Sequence, residues 1–408
     1  MLAALTPAGY EVRLVSQAVH NIPYDEPWDL VGITTMGSGL AESWRIADEF
    51  RRRGRKVVLG GIGATLLGPA ACSDHADAVV LGEAEELWPR VLSDFAAGRP
   101  SAVYQAERLP PLDDLPVPRY DLLDRSKLGY WLPVQAGRGC PFGCDYCSVT
   151  SFFGHRYRMR PVPQVVRDVR AVGQLGVRRV AFIDDNIGVD RDYCGNLWEA
   201  LIPEQITWMS QCSLHIADRP DLLRLAKASG CTLLSIGIES TTPESLRLHG
   251  KHWHAPERYE AAVRTIRAHG IEVSTEMIVG MEADDATVFQ RTYDFIMRNR
   301  ISIPRIHILT PIPGTPLFQR LADEGRVLTR DFSRYTGGRA VFRPRHMDIE
   351  TLETEYWQLY RRLFSARNIM HRVRRNPAGL SPFMRAFVLG VNLHYRSHIR
   401  HGITPGIV

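Results

Sequence analysis

Cys140-Pro-Phe-Gly-Cys144-Asp-Tyr-Cys147 places three thiols within eight residues, and Gly139 and Gly143 let the backbone curl around them. Thiolates gathered this closely select zinc, copper or an iron–sulfur cluster. A structural zinc site is normally closed by four ligands, and the sequence has no fourth Cys and no Cys-x-x-His pair nearby. Three thiolates on a four-iron cluster leave one iron open to another ligand. The stretch therefore predicts an iron–sulfur site held by Cys140, Cys144 and Cys147.

The composition is that of an ordinary globular protein. The 408 residues are 45% hydrophobic and 23% charged, enough for two or three domains with sizeable cores. The formal charge of +5 does not by itself indicate a nucleic-acid partner, and we expect none. The remaining cysteines are scattered, which favours a reducing cytosol over a disulfide framework and predicts small buried side chains. They are Cys72, Cys194, Cys212 and Cys231.

No export or membrane-spanning signal is evident. The N-terminus lacks a basic segment followed by an apolar run, so no signal peptide is expected. No window reaches the roughly 18 apolar residues of a transmembrane helix. We therefore predict a cytoplasmic protein.

The first hundred residues alternate between strand-like and helix-like patterns. This alternation predicts a doubly wound parallel sheet, in an α/β domain over residues 1–100. Gly60, Gly61 and Gly82 follow strand ends, where such sheets bind ligands. The predicted strands are 11–15, 29–34, 56–61 and 78–82, and the predicted helices are 41–53 and 85–95. Residues 109–118 are rich in proline and predict an extended linker within residues 101–130.

A second series of strands and helices begins just before the cysteines and recurs about every thirty residues. It gives six βα units over residues 131–325, and chemistry in barrels of such units gathers at the carboxyl ends of the strands. The remaining residues, 326–408, predict a mainly helical, basic segment. The six predicted strands are 132–136, 179–183, 206–210, 233–238, 272–279 and 305–309.

The cysteine spacing, with Tyr146 just before the third cysteine, resembles the cluster loop of radical S-adenosylmethionine (SAM) enzymes. The six βα units resemble the partial barrel of that family. Residues 2–88 resemble the cobalamin-binding domain that precedes many such barrels. Residues 310–316, 324–331 and 340–344 resemble the group that includes the hopanoid methylases.

The resemblance implies a 4Fe-4S cluster whose open iron binds SAM. A reductant such as flavodoxin or ferredoxin would supply an electron to the cluster. Transfer of that electron to SAM would cleave it to a 5′-deoxyadenosyl radical. The radical would abstract hydrogen from an unactivated carbon of a small-molecule, lipid or natural-product substrate. With cobalamin the expected outcome is C-methylation. Without it, dehydrogenation, epimerisation or rearrangement would follow. The rival from another class is a non-catalytic iron–sulfur or zinc protein.

The strand ends carry the residues that the resemblance assigns to SAM. Asp184, Asp185 and Asn186 would hold its ammonium group through charge-assisted hydrogen bonds, although Asp185 and Asn186 also suit a helix cap. The remaining assignments come from the following strand ends and from the cysteine loop. They are Gln211 and Ser213 for the carboxylate or ribose, Glu239 for the ribose, and Gly280 and Tyr146 for the adenine.

Glu276 lies among apolar residues within a predicted strand, so its carboxylate needs a partner when buried. Two alternatives are open. Glu276 either forms a salt bridge to an outer helix or is a catalytic group that faces the barrel lumen and binds a polar substrate.

Cobalamin binding is the least determined feature. The chain begins where the first helix of the resembling domain would stand, without its opening strand, and Gly63 stands where relatives often have histidine. A parallel sheet without a central strand loses one wall of the ligand crevice. We therefore expect a domain that keeps its general fold but binds cobalamin weakly or not at all.

The tail has one sign of charge. After Glu355 there is no Asp or Glu, but nine arginines are interleaved with apolar residues. Such a segment either packs on the barrel with a solvated basic face or lies on an anionic membrane as a peripheral contact.

Overall fold

The structure, a computed structural model, describes residues 1–18, 20–127, 129–374 and 379–406. Its strands form a four-stranded sheet, a six-stranded sheet and a short antiparallel pair. The strands are β1 Leu30–Thr34, β2 Lys56–Gly60, β3 Ala78–Leu81, β4 Val103–Gln105, β5 Leu132–Val134, β6 Gly137–Arg138, β7 Arg158–Met159, β8 Arg179–Phe182, β9 Thr207–Cys212, β10 Cys231–Glu239, β11 Glu272–Val279 and β12 Ile303–Ile308. The helices are α1 Leu2–Leu5, α2 Leu40–Arg52, α3 Ile62–Leu67, α4 Trp88–Ala96, α5 Ser148–Phe153, α6 Val162–Gln174, α7 Arg191–Leu201, α8 Pro220–Ala228, α9 Pro243–Leu248, α10 Tyr259–Ala268, α11 Val288–Arg298, α12 Pro316–Asp323, α13 Ile349–Leu363, α14 Ala366–Arg374 and α15 Pro382–Arg400.

The N-terminal sheet is parallel, in the order β1-β2-β3-β4. Val57 and Leu59 of β2 pack on one face against α2, whereas Val58 packs on the other face with Trp88 of α4. Helices therefore cover both faces, and the prediction of a doubly wound domain is confirmed.

The prediction of a strand at residues 11–15 is wrong. These residues are irregular and mostly exposed, and β1 pairs only with β2 in the described part of the chain. Their apolar alternation finds no neighbouring strand, and an unpaired strand is not stable in water. The sheet gains a strand on its other side instead, because β4 lies in the segment predicted as a linker.

The six-stranded sheet follows chain order, β5-β8-β9-β10-β11-β12, with every pair parallel. Trp208 of β9 points outward, where its ring lies 5.7 Å from that of Trp198 in α7. Successive residues of each strand alternate between this outer core and the lumen. The six strands predicted for the barrel are confirmed.

Helices α13, α14 and α15 cover β12, the last strand of this sheet. The Tyr360 hydroxyl accepts from the amide of Ile306 (2.8 Å) and donates to its carbonyl oxygen (2.7 Å). Asn392 of α15 and the fully buried Arg372 of α14 donate to the carbonyl oxygen of Ser302. Side chains thus supply hydrogen-bond partners to the backbone at the edge of β12, where no described strand pairs with it. The expected helical C-terminal segment is present. Within the described ranges, no helix is both long and apolar enough to cross a membrane.

Candidate active site at the mouth of the barrel

The three cysteines lie in the loop between β6 and α5, at the carboxyl end of β5. Cys144 is buried, and Cys140 and Cys147 are half-buried. Gly139 has a φ of +88°, and a Cβ there would collide with the carbonyl oxygen of Arg156, so the turn requires glycine. Burial raises the pKa of the Cys144 thiol to about 12, so binding of iron must displace its proton.

In the part of the chain that the structure describes, no group of three or more His, Cys, Asp or Glu is close enough to hold one ion. An iron–sulfur cluster is larger, and its cysteine thiolates bind different irons.

Two segments brace the loop from the far side of the barrel. Asp145, between the second and third cysteines, is 2.8 Å from Nδ1 of His249 and accepts from Arg320 of α12 (2.7 Å). Gly250 lies directly against the loop, because a Cβ there would stand 2.5 Å from the carbonyl oxygen of Gly143. Burial opposes ionisation of Asp145, but His249 and Arg320 hold its pKa below the ordinary value. The cluster loop is therefore fixed by ionic contacts with distant parts of the chain.

The end of β8 holds the loop from the near side. The buried carboxylate of Asp184 accepts from the amides of Ala136 (2.9 Å) and Gly137 (2.5 Å) and from the Tyr157 hydroxyl (2.7 Å). Burial raises the pKa of Asp184 to about 7 despite these donors. These donors come from the chain itself, and the contact of Asp184 with the ammonium group of SAM stays a prediction.

The two residues after Asp184 reach the cysteines more directly. Asp185 accepts from the amide of Gly139 (3.0 Å), next to Cys140. Asn186 places Nδ2 3.8 Å from the Cys140 sulfur, and its oxygen accepts from the amide of Ser213 (2.9 Å). Asn186 thus links the first cysteine to the end of β9.

The other strand ends differ in how open they are. Gln211 is exposed between buried neighbours, so its side chain is free to meet a ligand. Glu239 has a φ of 64°, unusual for a residue with a side chain, and accepts from Lys251 (2.7 Å). Gly280 has a positive φ, and a Cβ there would stand 3.1 Å from Leu352 of α13. Packing against α13 therefore explains Gly280 without a ligand.

The structure brings Asp185, Asn186, Ser213 and Tyr146 to the cysteine loop, and Lys251 links Glu239 to it. The buried Tyr146 hydroxyl lies beside the Cys144 thiol, which is its interaction partner in the loop.

Glu276 forms a polar cluster in the barrel lumen with residues of the two adjacent strands. Its carboxylate accepts from Ser235 of β10 (3.2 Å), pairs with Arg305 of β12 and lies 3.7 Å from Nε2 of His307. Burial opposes ionisation, but His307 and Arg305 hold the pKa of Glu276 below its ordinary value. Glu276 therefore does not pair with an outer helix, and the cluster offers a polar site in the lumen.

A buried ionic contact joins the N-terminal sheet to the cysteine loop. Arg138 of β6 donates to Glu85 (2.6 Å) and lies 3.2 Å from Glu83, and Arg158 of β7 also pairs with Glu83. Both acids follow β3, so the edge of the first sheet at the carboxyl ends of its strands faces the cysteines. Gly37, just after β1, likewise lies against Ile312 of the barrel.

Sequence reasoning missed these acids, together with His249 and Lys251, because their partners are far away in the chain. No local pattern marks Lys251, since the three other lysines of the chain, Lys56, Lys127 and Lys227, are exposed.

Comparison with known proteins gives two family matches. The radical SAM superfamily matches residues 134–296, which contain the three cysteines and most of the barrel. A domain of unknown function (DUF4070) matches residues 315–393, the region of α12 to α15.

Curated relatives and solved structures match almost the whole chain. The bacteriochlorophyllide d C-12(1)-methyltransferase of Chlorobaculum tepidum is 32% identical over 92% of this chain and 84% of its own length. The hopanoid C-2 methylase of Rhodopseudomonas palustris is 27% identical over 81% of this chain and 65% of its own. The radical SAM methyltransferase TsrM from Kitasatospora setae shares the fold, with a TM-score of 0.65, 18% identity and coverage of 93% of this chain and 88% of that chain.

Proposed function

Because the chain belongs to the group of radical SAM enzymes that includes the hopanoid methylases, we propose that it transfers a methyl group to an unactivated carbon of a small-molecule or lipid substrate. The observation that carries the proposal is the buried contact of Arg138 with Glu83 and Glu85. It fixes the edge of the N-terminal sheet against the cysteine loop, so that a methyl carrier at the edge and a radical source at the loop would face one chamber.

Each part of the chain has a task in this reaction. When bound, the cluster and SAM supply a 5′-deoxyadenosyl radical, and cobalamin supplies the methyl group. Cys140, Cys144 and Cys147 hold the cluster, while Asp184 and Asn186 keep their loop in place. The Glu276 cluster binds a polar part of the substrate and thereby orients the carbon that reacts. A one-electron donor of the flavodoxin or ferredoxin type supplies the electron.

The N-terminal edge offers a place for cobalamin. Gly61 has a φ of +93°, and a Cβ there would stand 2.6 Å from Oγ1 of Thr34, so the turns after β1 and β2 pack closely together. Met36, 70% exposed, projects from the same edge. A Cβ at Gly82 would meet no atom within 4 Å, which leaves room beside the end of β3. Open space at the carboxyl ends of parallel strands suits a nucleotide-like ligand.

We expect hydroxocobalamin to co-elute stoichiometrically with the protein on gel filtration, with a corrinoid visible spectrum. The Met36→Trp variant should bind it at least tenfold more weakly, because the indole fills the open edge. Met370→Trp is the matched control, since Met370 is also exposed but lies on α14.

If the wild-type protein retains no corrinoid, the expectation of weak binding drawn from the sequence is correct and methyl transfer from cobalamin is excluded. Dehydrogenation, epimerisation or rearrangement would then be the reaction. Deoxyadenosine formed with candidate substrates, together with the mass of the product, distinguishes these outcomes.

We further propose that the outer face of α15 contacts an anionic membrane. Its inner face is occupied, because Met384, Val388 and Tyr395 are buried against the barrel. The outer face presents Leu393, 52% exposed, beside arginines, whereas the Phe383 ring lies against Tyr130 and Arg179. Exposed apolar side chains among basic residues are typical of surfaces that bind at a membrane interface.

Flotation with vesicles containing anionic lipid measures this contact. Reversing the charge of two exposed arginines, Arg385→Glu with Arg400→Glu, should abolish flotation, since each basic residue near such a surface contributes about 1 kcal/mol. Arg224→Glu with Arg264→Glu, on α8 and α10, is the control. Failure of the wild-type protein to float would rule out the contact. Truncation is unsuitable, because it removes the cover of β12.

A further inference from the structure

Lys251 stands over the cysteine loop in a position that the sequence did not indicate. It follows Gly250, whose backbone lies against Gly143. The amide of Asp145 donates to the carbonyl oxygen of His249 (3.4 Å), so the segment before Lys251 runs beside the second cysteine. Residues 249–251 therefore form one wall of the candidate cluster site.

The ammonium group of Lys251 is buried, with the residue only 8% exposed. It donates to Glu239 (2.7 Å) and to the carbonyl oxygen of Gly237 (3.3 Å), at the bulge that ends β10. Burial disfavours the charge, but Glu239 and the thiols of Cys144 and Cys147 keep the pKa of Lys251 above its ordinary value. A buried charge is retained in a fold only when it is paired in this way.

We propose that Lys251 is a positioning residue whose fixed positive charge raises the reduction potential of the cluster held by Cys140, Cys144 and Cys147. The inference rests on the proposed function, in that a cluster occupies the loop. Reduction adds an electron to a group already surrounded by three thiolates, and a nearby cation stabilises the added negative charge. The field is strong because the site is buried.

Glu239 sets the strength of this effect. Its carboxylate holds the ammonium group in place and offsets part of its charge, so the two substitutions should act in opposite directions. Loss of Lys251 should make reduction harder, whereas loss of the Glu239 charge should make it easier. A merely structural role for either residue would not produce shifts of opposite sign.

The test is a potentiometric titration of the reconstituted protein without SAM, followed by electron paramagnetic resonance. In Lys251→Met we expect the equilibrium constant for reduction to fall about tenfold. For one electron this corresponds to a reduction potential about 59 mV more negative. Lys251→Arg should stay close to wild type, and Glu239→Gln should shift to a more positive potential. Lys227→Met is the control, since Lys227 is exposed and donates to Gly270.

An unchanged potential in Lys251→Met with full iron and sulfide content overturns the proposal. Loss of SAM affinity alone would make Lys251 a ligand of SAM instead. If Lys251→Met loses its iron, the potential of Glu239→Gln decides between the outcomes. An unchanged or more negative potential in Glu239→Gln also overturns the proposal. Failure of the proposed methyl transfer is distinguishable, because a wild-type protein that binds no corrinoid but assembles a redox-active cluster leaves this titration unaffected.

Discussion

Alanine at Cys140, Cys144 or Cys147 will abolish deoxyadenosine formation from SAM in the anaerobically reconstituted protein. Two thiolates cannot hold the cuboidal cluster in place, and no other cysteine among the described residues lies in the loop. The loop itself should survive, because Asp145 still pairs with His249 and Arg320. Iron and sulfide analysis, visible spectra and chromatography of the SAM products measure the effect.

Cys72→Ala and Cys231→Ala are the matched controls. Both cysteines are fully buried, Cys72 in the core of the N-terminal sheet and Cys231 in that of the barrel. Each substitution should lower the free energy of unfolding by about 1 kcal/mol while iron content and SAM cleavage stay at wild-type levels. Wild-type iron and SAM cleavage in any variant of the loop would contradict the assignment of the cluster.

The largest effect on stability is expected from Arg372→Met. The guanidinium is fully buried and donates to the carbonyl oxygens of Ile301 (2.9 Å), Ser302 (3.1 Å) and Leu363 (3.0 Å) and to the side-chain oxygen of Asn392 (3.0 Å). Burial lowers the pKa of Arg372 to about 9, a sign of how fully it is removed from water. Methionine matches the length but removes a donor from all four acceptors, of which Ser302 still accepts from Asn392.

We expect the free energy of unfolding to fall by about 3 kcal/mol, because each unsatisfied buried acceptor costs about 1–3 kcal/mol and removal of the buried charge offsets part of the loss. Chemical denaturation, followed by circular dichroism, measures the change. Arg374→Met, at an exposed position of the same helix, should stay within about 0.5 kcal/mol of wild type. Equal stability of the two variants would show that Arg372 does not hold the edge of β12.

The barrel was predictable because strand-like and helix-like segments recur about every thirty residues. Each strand pairs with the next barrel strand along the chain, so the repeat and the strand order agree. Residues 11–15 have an equally clear alternation, yet no strand lies beside them. Sequence pattern predicts which segment can be a strand, but the presence of a partner decides whether it becomes one.

The candidate site also has a part that the sequence predicted and a part that it did not. The cysteines and the polar strand ends were visible because they are local in sequence. Their partners were not: Asp145 pairs with His249 and Arg320, and Arg138 pairs with Glu83 and Glu85 in another domain. Contacts between such distant residues depend on the arrangement of the whole fold.

The C-terminal segment had two predicted placements, and the structure shows α15 packed on the barrel. One face carries apolar side chains and Asn392, which donates to the carbonyl oxygen of Ser302, just before β12. The sequence did not indicate this use of Asn392, since a single amide in an apolar helix has no distinctive pattern. The outer face stays basic.

The consecutive strand order of the barrel bears on how the chain is made. During synthesis, each new strand can dock on the one that left the ribosome before it, so growth is stepwise and needs few long loop closures. Throughout synthesis, the strand made last has one edge with unpaired backbone groups. In the complete sheet this is the edge of β12. Because α13, α14 and α15 follow β12 in the chain, that edge is shielded only after the whole sheet has been synthesised. Stalled or truncated translation products would therefore be the species most prone to aggregate.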